Sequence, residues 1–326
     1  MALLHMKPRN GRPRGSNWGD ELLESGLIKG LTVVLRLLLL PLQLLGRAFL
    51  RMVQFAILKC IAIGAAYVAP FYLRGSQARN HPATIKFRMA STVATSLLAW
   101  FPLYHQVHKT ASPKLLLTLL GLRTQGLLQA VVKSTVLTAS LFAGPLVQLL
   151  LTGKTRREAP DPLQGLRNLL VGPFTEEFCF RACMAPLFLL QGYSYMQTIF
   201  LTPLMFGVAH VHHLVELVSF QRVQLTSAVA MVLFQFGYTT VFGWYATHIF
   251  LSTGHLAGAV AVHSFCNWMG FPAIETIMHH PRKSMLLTAY IGGIMLFSLL
   301  LKPWTSPGQN QSRYQDLVAK ARVSGR

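Results

Sequence analysis

Gly172–Pro186 reads GPFTEEFCFRACMAP, and the two adjacent carboxylates in it decide how the chain is to be understood. The 326 residues include only ten Asp and Glu, and two of them, Glu176 and Glu177, stand side by side in an apolar block running from Leu163 to Pro303. A carboxylate at the centre of a membrane helix costs roughly 2.5–3.5 kcal/mol on insertion scales. Ionisable groups retained at that cost mark function by default.

Working outward, the composition agrees with a membrane protein. Hydrophobic residues make up 52% of the chain and charged residues 12%, about half the charged share of an average soluble domain. Mean hydropathy is +0.43. The formal net charge of +20 invites a nucleic-acid reading, yet there is no zinc-finger spacing, helix-turn-helix or RNA-binding signature. Lys and Arg flank apolar segments instead, as expected beside anionic lipid headgroups. Membrane lipids are therefore the expected partners and nucleic acid is not. Cys60, Cys179, Cys183 and Cys266 form no CxxC pair and read as buried thiols.

The expected architecture is all-α: a polytopic bundle of about eight transmembrane helices around a polar cavity. Residues 1–26 are basic and rich in Pro and Gly, and read as a disordered arm without a signal-peptide core. Residues 27–162 hold N-terminal spans and a charged linker, 163–303 a membrane core, and 304–326 a polar tail. The N-terminal part divides into Leu27–Leu45, which either spans or lies on the bilayer, then Met52–Leu73, Met89–Val107 broken late by Pro102, a short interfacial Lys114–Gly126, and Leu127–Thr152. In the core, helices are expected at Leu166–Leu190, Tyr195–Val218, Leu225–Leu251, Leu256–Thr276 and Lys283–Leu301, the last stopped by Lys302-Pro303-Trp304. Basic residues flank the spans on both sides, so charge does not fix orientation.

Helical spacing sorts the polar groups of the core. Glu177 and Arg181 share a face and can pair. Glu176 lies about 100° around the helix and escapes that pairing. Phe206 and His210 share a face, with His213 and Glu216 near it. His263 and Asn267 lie one turn apart on a later helix. A carboxylate and a histidine can activate water together, and a second histidine with an asparagine amide can stabilise an oxyanion. Other chemistries use the same residues. Glu176, Glu177, His210, His213 and His263 are zinc-ligand types, though no HExxH occurs. Cys266 near His263 suggests a thiol protease, and acids with histidines suggest a proton-coupled transporter.

The ordered set Glu-Glu-x-x-x-Arg (Glu176–Arg181), Phe-x-x-x-His (Phe206–His210) and His-x-x-x-Asn (His263–Asn267) resembles the CAAX-processing and bacteriocin-processing (ABI) intramembrane protease family. FGVAHVHHLVE (Phe206–Glu216) and TGHLAGAVAVHSFCNWMGFP (Thr253–Pro272) are similar to its eukaryotic CAAX-processing members, and the likeness runs from about Arg79 to Pro303. That resemblance implies a metal-independent glutamate-type endopeptidase without cofactor. It would remove the aaX tripeptide from prenylated CaaX proteins such as Ras-like small GTPases. It implies Glu176 and His210 as the groups that activate water, and His263 and Asn267 as the oxyanion stabilisers. Glu177, Arg181, Phe206 and His213 would support them. The implied location is the endoplasmic reticulum membrane, with the site open to the cytosol.

Overall fold

The structure, a computed structural model, describes residues 55–73, 79–109, 112–152, 161–272 and 274–306, together with Tyr314, Asp316 and Val318. The basic arm 1–26 and the segment Leu27–Leu45 lie outside the described residues. Among the described residues there are helices and turns and no strands. In chain order they are α1 (Phe55–Tyr72), α2 (Pro82–Ala99), α3 (Phe101–Val107), α4 (Pro113–Leu119), α5 (Leu127–Leu141) and α6 (Ala143–Thr152). They continue with α7 (162–190), α8 (Tyr195–Phe220), α9 (Leu225–Thr253), α10 (Leu256–Met269), α11 (Ile274–Met278) and α12 (Lys283–Thr305).

Four of these, α1, α8, α9 and α12, are long and apolar enough to cross a membrane, and five if the bent pair α5–α6 counts as one span. The all-α polytopic architecture holds, while the count of eight helices is not matched by this tally. Prolines explain much of the difference. Pro145 lacks the N–H that would continue the ladder from Leu141, and α5 and α6 meet at a 72° bend. Pro102 follows the break at Trp100, so Met89–Val107 belongs to two helices. Past α10, Gly270 with φ of 66° and then Pro272 end the helix at Met269, earlier than Thr276. Pro303, expected to stop α12, is instead carried within its last turn, and the helix runs on to Thr305.

Helix α7 is the centre of the bundle. Its second half is enclosed by other helices, and Cys179, Ala182, Cys183, Met184, Ala185 and Leu187 have no exposed surface, while Leu166, Leu170 and Phe174 in its first half are exposed. The outer helices show the converse. Leu150 is 81% exposed and Leu299 72% exposed, the apolar exterior that lipid requires. Asp161 caps the start of α7 by accepting from Leu163 and Gln164 N–H, and Ser194 with Gln197 closes a capping box on α8.

Two π-helical turns interrupt α7, at Arg167–Val171 and at Phe178–Cys183. Each contains the residue four before a proline: Leu169 before Pro173, and Ala182 before Pro186. A proline ring clashes with that carbonyl in a regular α-helix, and the wider turn makes room for it. Gly172 belongs to the same device. Its N–H bonds the Arg167 carbonyl, and a Cβ there would lie 2.7 Å from that oxygen.

Candidate active site

Glu176 and Glu177 end the short α-helical stretch between the two π turns and point different ways. Glu177 and Arg181 are fully buried, with Arg181 Nη1 3.1 Å from Glu177 Oε1. Neither lines the adjoining cavity, whereas Glu176 does. The guanidinium of Arg181 lies over the Phe206 ring, 4.4 Å from its centroid, a cation–π contact. Gly243 on α9 permits this close arrangement: a Cβ there would sit 2.5 Å from Pro203 Cβ and 3.0 Å from Arg181 Nη2.

His210 owes its position to the end of the first section of α8. There His210 N–H and Val211 N–H bond three residues back, to Gly207 and Val208, instead of four. The Phe206 carbonyl, left by the His210 N–H, accepts from His210 Nδ1 at 2.8 Å. Because a carbonyl only accepts, Nδ1 carries a proton, and in the neutral ring Nε2 then keeps its lone pair. Phe206 also stands edge-on to the His210 ring at 4.6 Å.

Helix α10 brings the third pair of residues. His263 Nδ1 donates to Glu177 Oε1 at 2.7 Å, and its Nε2 is 3.8 Å from Glu176 Oε2. One imidazole thus bridges the two carboxylates that spacing had separated. Asn267 Nδ2 donates to the Asn168 carbonyl at 2.9 Å. The reason lies in the first π turn. The Gly172 N–H is taken by Arg167, and Pro173 has no N–H to offer Asn168. The Asn267 amide fills that vacancy and fixes its own orientation in doing so.

Glu176, Phe206, His210, His213, His263 and Asn267 all border one cavity of approximately 820 Å³. The structure therefore gathers these six around one space, while Glu216, which spacing also set near the His210 face, does not line it. Glu177 and Arg181 sit immediately behind its wall. Glu176 and His210 face the same space, but no hydrogen bond or ion pair joins them among the described residues. The histidine nitrogen within ion-pair distance of Glu176 belongs to His263.

His213 faces a different partner, with Nδ1 3.3 Å from Glu216 Oε2. Arg88 on α2 approaches the same oxygen at 3.7 Å. His212, His213 and Glu216 are spaced closely enough to hold a metal ion, a set different from the zinc ligands suggested by residue type. Arg88 already supplies a positive charge to that carboxylate. Sequence reasoning passed over Arg79, Arg88, Arg167 and Asn168, which also line the cavity. The charge of the three arginines was read as topology, and their only sequence signal is their position beside apolar helices; Asn168 carries no charge to mark it. Cys266 borders the cavity as well, with its thiol making no hydrogen bond or ion pair among the described residues.

Comparison with known proteins gives the chain a family. Residues 158–269, which carry all three motifs, match the family model described as type II CAAX prenyl endopeptidase Rce1-like. The chain is 37% identical over 269 residues to the CAAX prenyl protease 2 of Homo sapiens, covering 77% of this chain and 82% of the human protein. It is 35% identical over 269 residues to that of Rattus norvegicus, covering 77% and 80%. Against the Arabidopsis thaliana protein of the same name it is 30% identical over 285 residues, covering 78% and 90%. No solved structure matches the chain. With the ordered motifs gathered around one cavity and relatives aligned over most of its length, the chain belongs to the type II CAAX prenyl endopeptidase family, as a multi-pass membrane protease.

Proposed function

We propose that this protein removes the C-terminal aaX tripeptide from prenylated CaaX proteins, Ras-like small GTPases among them, by direct attack of an activated water. The observation that carries the reading is the convergence of Glu176, His210, His263 and Asn267 on one cavity, with Glu177 and Arg181 held behind it. Residues 163–303 form the catalytic core in this reading.

Water held between the Glu176 carboxylate and His210 Nε2 loses a proton to Glu176 as its oxygen attacks the carbonyl of the prenylcysteine. The His210 tautomer, fixed by the Phe206 carbonyl, leaves Nε2 as the acceptor that orients this water. Negative charge then develops on the carbonyl oxygen. In the proposed reaction His263 Nε2–H and the second amide hydrogen of Asn267 stabilise that oxyanion, with the His263 ring oriented by its Nδ1 bond to Glu177. Collapse returns the proton from Glu176 to the departing amine. The prenylcysteine gains the hydroxyl, the tripeptide gains the hydrogen, and no metal or cofactor takes part. Arg181 and Phe206 hold the carboxylates and His210 in register, and His213 braces the adjoining turn through Glu216.

The cavity suits a lipidated substrate. One part is lined by Leu141, Phe142, Val241, Phe242 and Phe297, an apolar surface matched to an isoprenoid chain. Prenylation supplies membrane affinity at about 0.8 kcal/mol per buried CH₂, so the scissile bond arrives at the bilayer with its lipid. The family likeness supports the endoplasmic reticulum membrane as location and access from the cytosol. The test is cleavage of a farnesylated CaaX peptide by purified protein in vesicles. Wild type is expected to release the tripeptide and Glu176→Ala to release none; full activity in the variant would overturn the role of Glu176.

A further inference from the structure

One end of the cavity carries a charge the reaction above does not use. Arg79, Arg88 and Arg167 all line it there. Arg167 Nη1 donates to the Arg79 carbonyl at 3.3 Å, which ties the segment before α2 to the start of α7. Arg79 and Arg88 lie close enough to Arg167 for their charges to act on it. Among the described residues, the one carboxylate ion-paired with these three guanidinium groups is Glu216, at Arg88. The nitrogens of Arg167 are spent on neutral acceptors, the Asn80 and Asn168 side chains. Arg88 Nε is buried with no hydrogen-bond partner. Arg79 is exposed, and its guanidinium forms no ion pair among the described residues. Like charges gathered in a cavity wall, with a buried donor unspent, are costly unless an anion completes them.

Distance gives that anion an identity. Nine residues separate Arg167 from Glu176 along α7, about 13 Å of helical rise. An extended tripeptide spans about 10 Å, and the side chains at both ends close the remainder. Arg79 is also near enough for its charge to reach Glu176. We infer that the arginine cluster, with Arg79 as its available member, binds the free C-terminal carboxylate of the substrate and so sets the cut three residues from the chain end. This inference rests on the CaaX endopeptidase reading.

The experiment compares two farnesylated CaaX peptides, identical except that one ends in a free carboxylate and the other in a carboxamide. They are presented to the full-length protein in neutral phosphatidylcholine vesicles. Wild type is expected to favour the carboxylate in kcat/KM by roughly ten- to a hundredfold, the range of one charge-assisted hydrogen bond. Arg79→Ala is expected to bring that ratio towards one, with Arg79→Lys restoring part of it. A fold defect lowers both peptides together and leaves the ratio in place. A wild-type ratio near one would overturn the inference and leave an anionic lipid headgroup as the better occupant. An Arg79→Ala ratio equal to that of wild type would also overturn it. Cleavage of neither peptide by wild type would instead remove the endopeptidase reading beneath it.

Discussion

Replacing Arg181 with methionine keeps most of the side-chain length and deletes the cation. Glu177 and Arg181 have no exposed surface and meet at 3.1 Å, where the Coulomb attraction is about 5 kcal/mol at an effective dielectric of 20. The contact over Phe206 adds about 2 kcal/mol for a desolvated site. The His263 bond to the same Glu177 oxygen at 2.7 Å remains and offsets part of the loss. The net expectation is a loss of about 4 kcal/mol, within the range for breaking a buried pair from one side. Glu177→Gln should cost a similar amount, because it strands the guanidinium. The double variant removes both charges and should be more stable than the sum of the single losses by at least about 2 kcal/mol. Reversible unfolding of purified protein in mixed micelles, followed by circular dichroism across a denaturing-detergent titration, measures all three. A loss below about 1 kcal/mol for Arg181→Met, or strict additivity in the double variant, would refute the pair as the internal brace of the site.

Two further outcomes follow from the same geometry. Asn267→Ala should lower kcat by roughly a hundred- to a thousandfold, with folding unchanged within about 1 kcal/mol, as read by single-turnover cleavage beside the unfolding titration. Cys266→Ser should retain activity within about threefold in the peptide assay, since the proposed reaction uses an activated water and not the thiol; an inactive variant would revive a cysteine nucleophile.

What was legible in the sequence depended on how far apart the partners lie. The Glu177–Arg181 pair and the separate facing of Glu176 follow from helical spacing within one element, and both appear in the structure. Carriage of all three motifs into one cavity agrees with their likeness to a known family. The bond from His263 to Glu177 spans 86 residues, and nothing local announces it. The π turns were equally hidden, although Pro173 and Pro186 mark where a regular helix would fail. Gly270-Phe271-Pro272 was a plain stop signal for α10 that apolar continuity outweighed. The three cavity arginines were read as topology charges because a basic residue beside a span looks the same whether it faces lipid or substrate.

The imidazole between Glu176 and Glu177 has a consequence for how losses add. Its Nδ1 holds the buried Glu177 at 2.7 Å and its Nε2 lies 3.8 Å from Glu176, so one ring joins the ion pair behind the wall to the carboxylate that faces the cavity. A substitution at His263 removes both contacts at once. Glu176, Glu177, Arg181 and His263 therefore form one energetic unit, and the loss measured at any member includes the disturbance of the others.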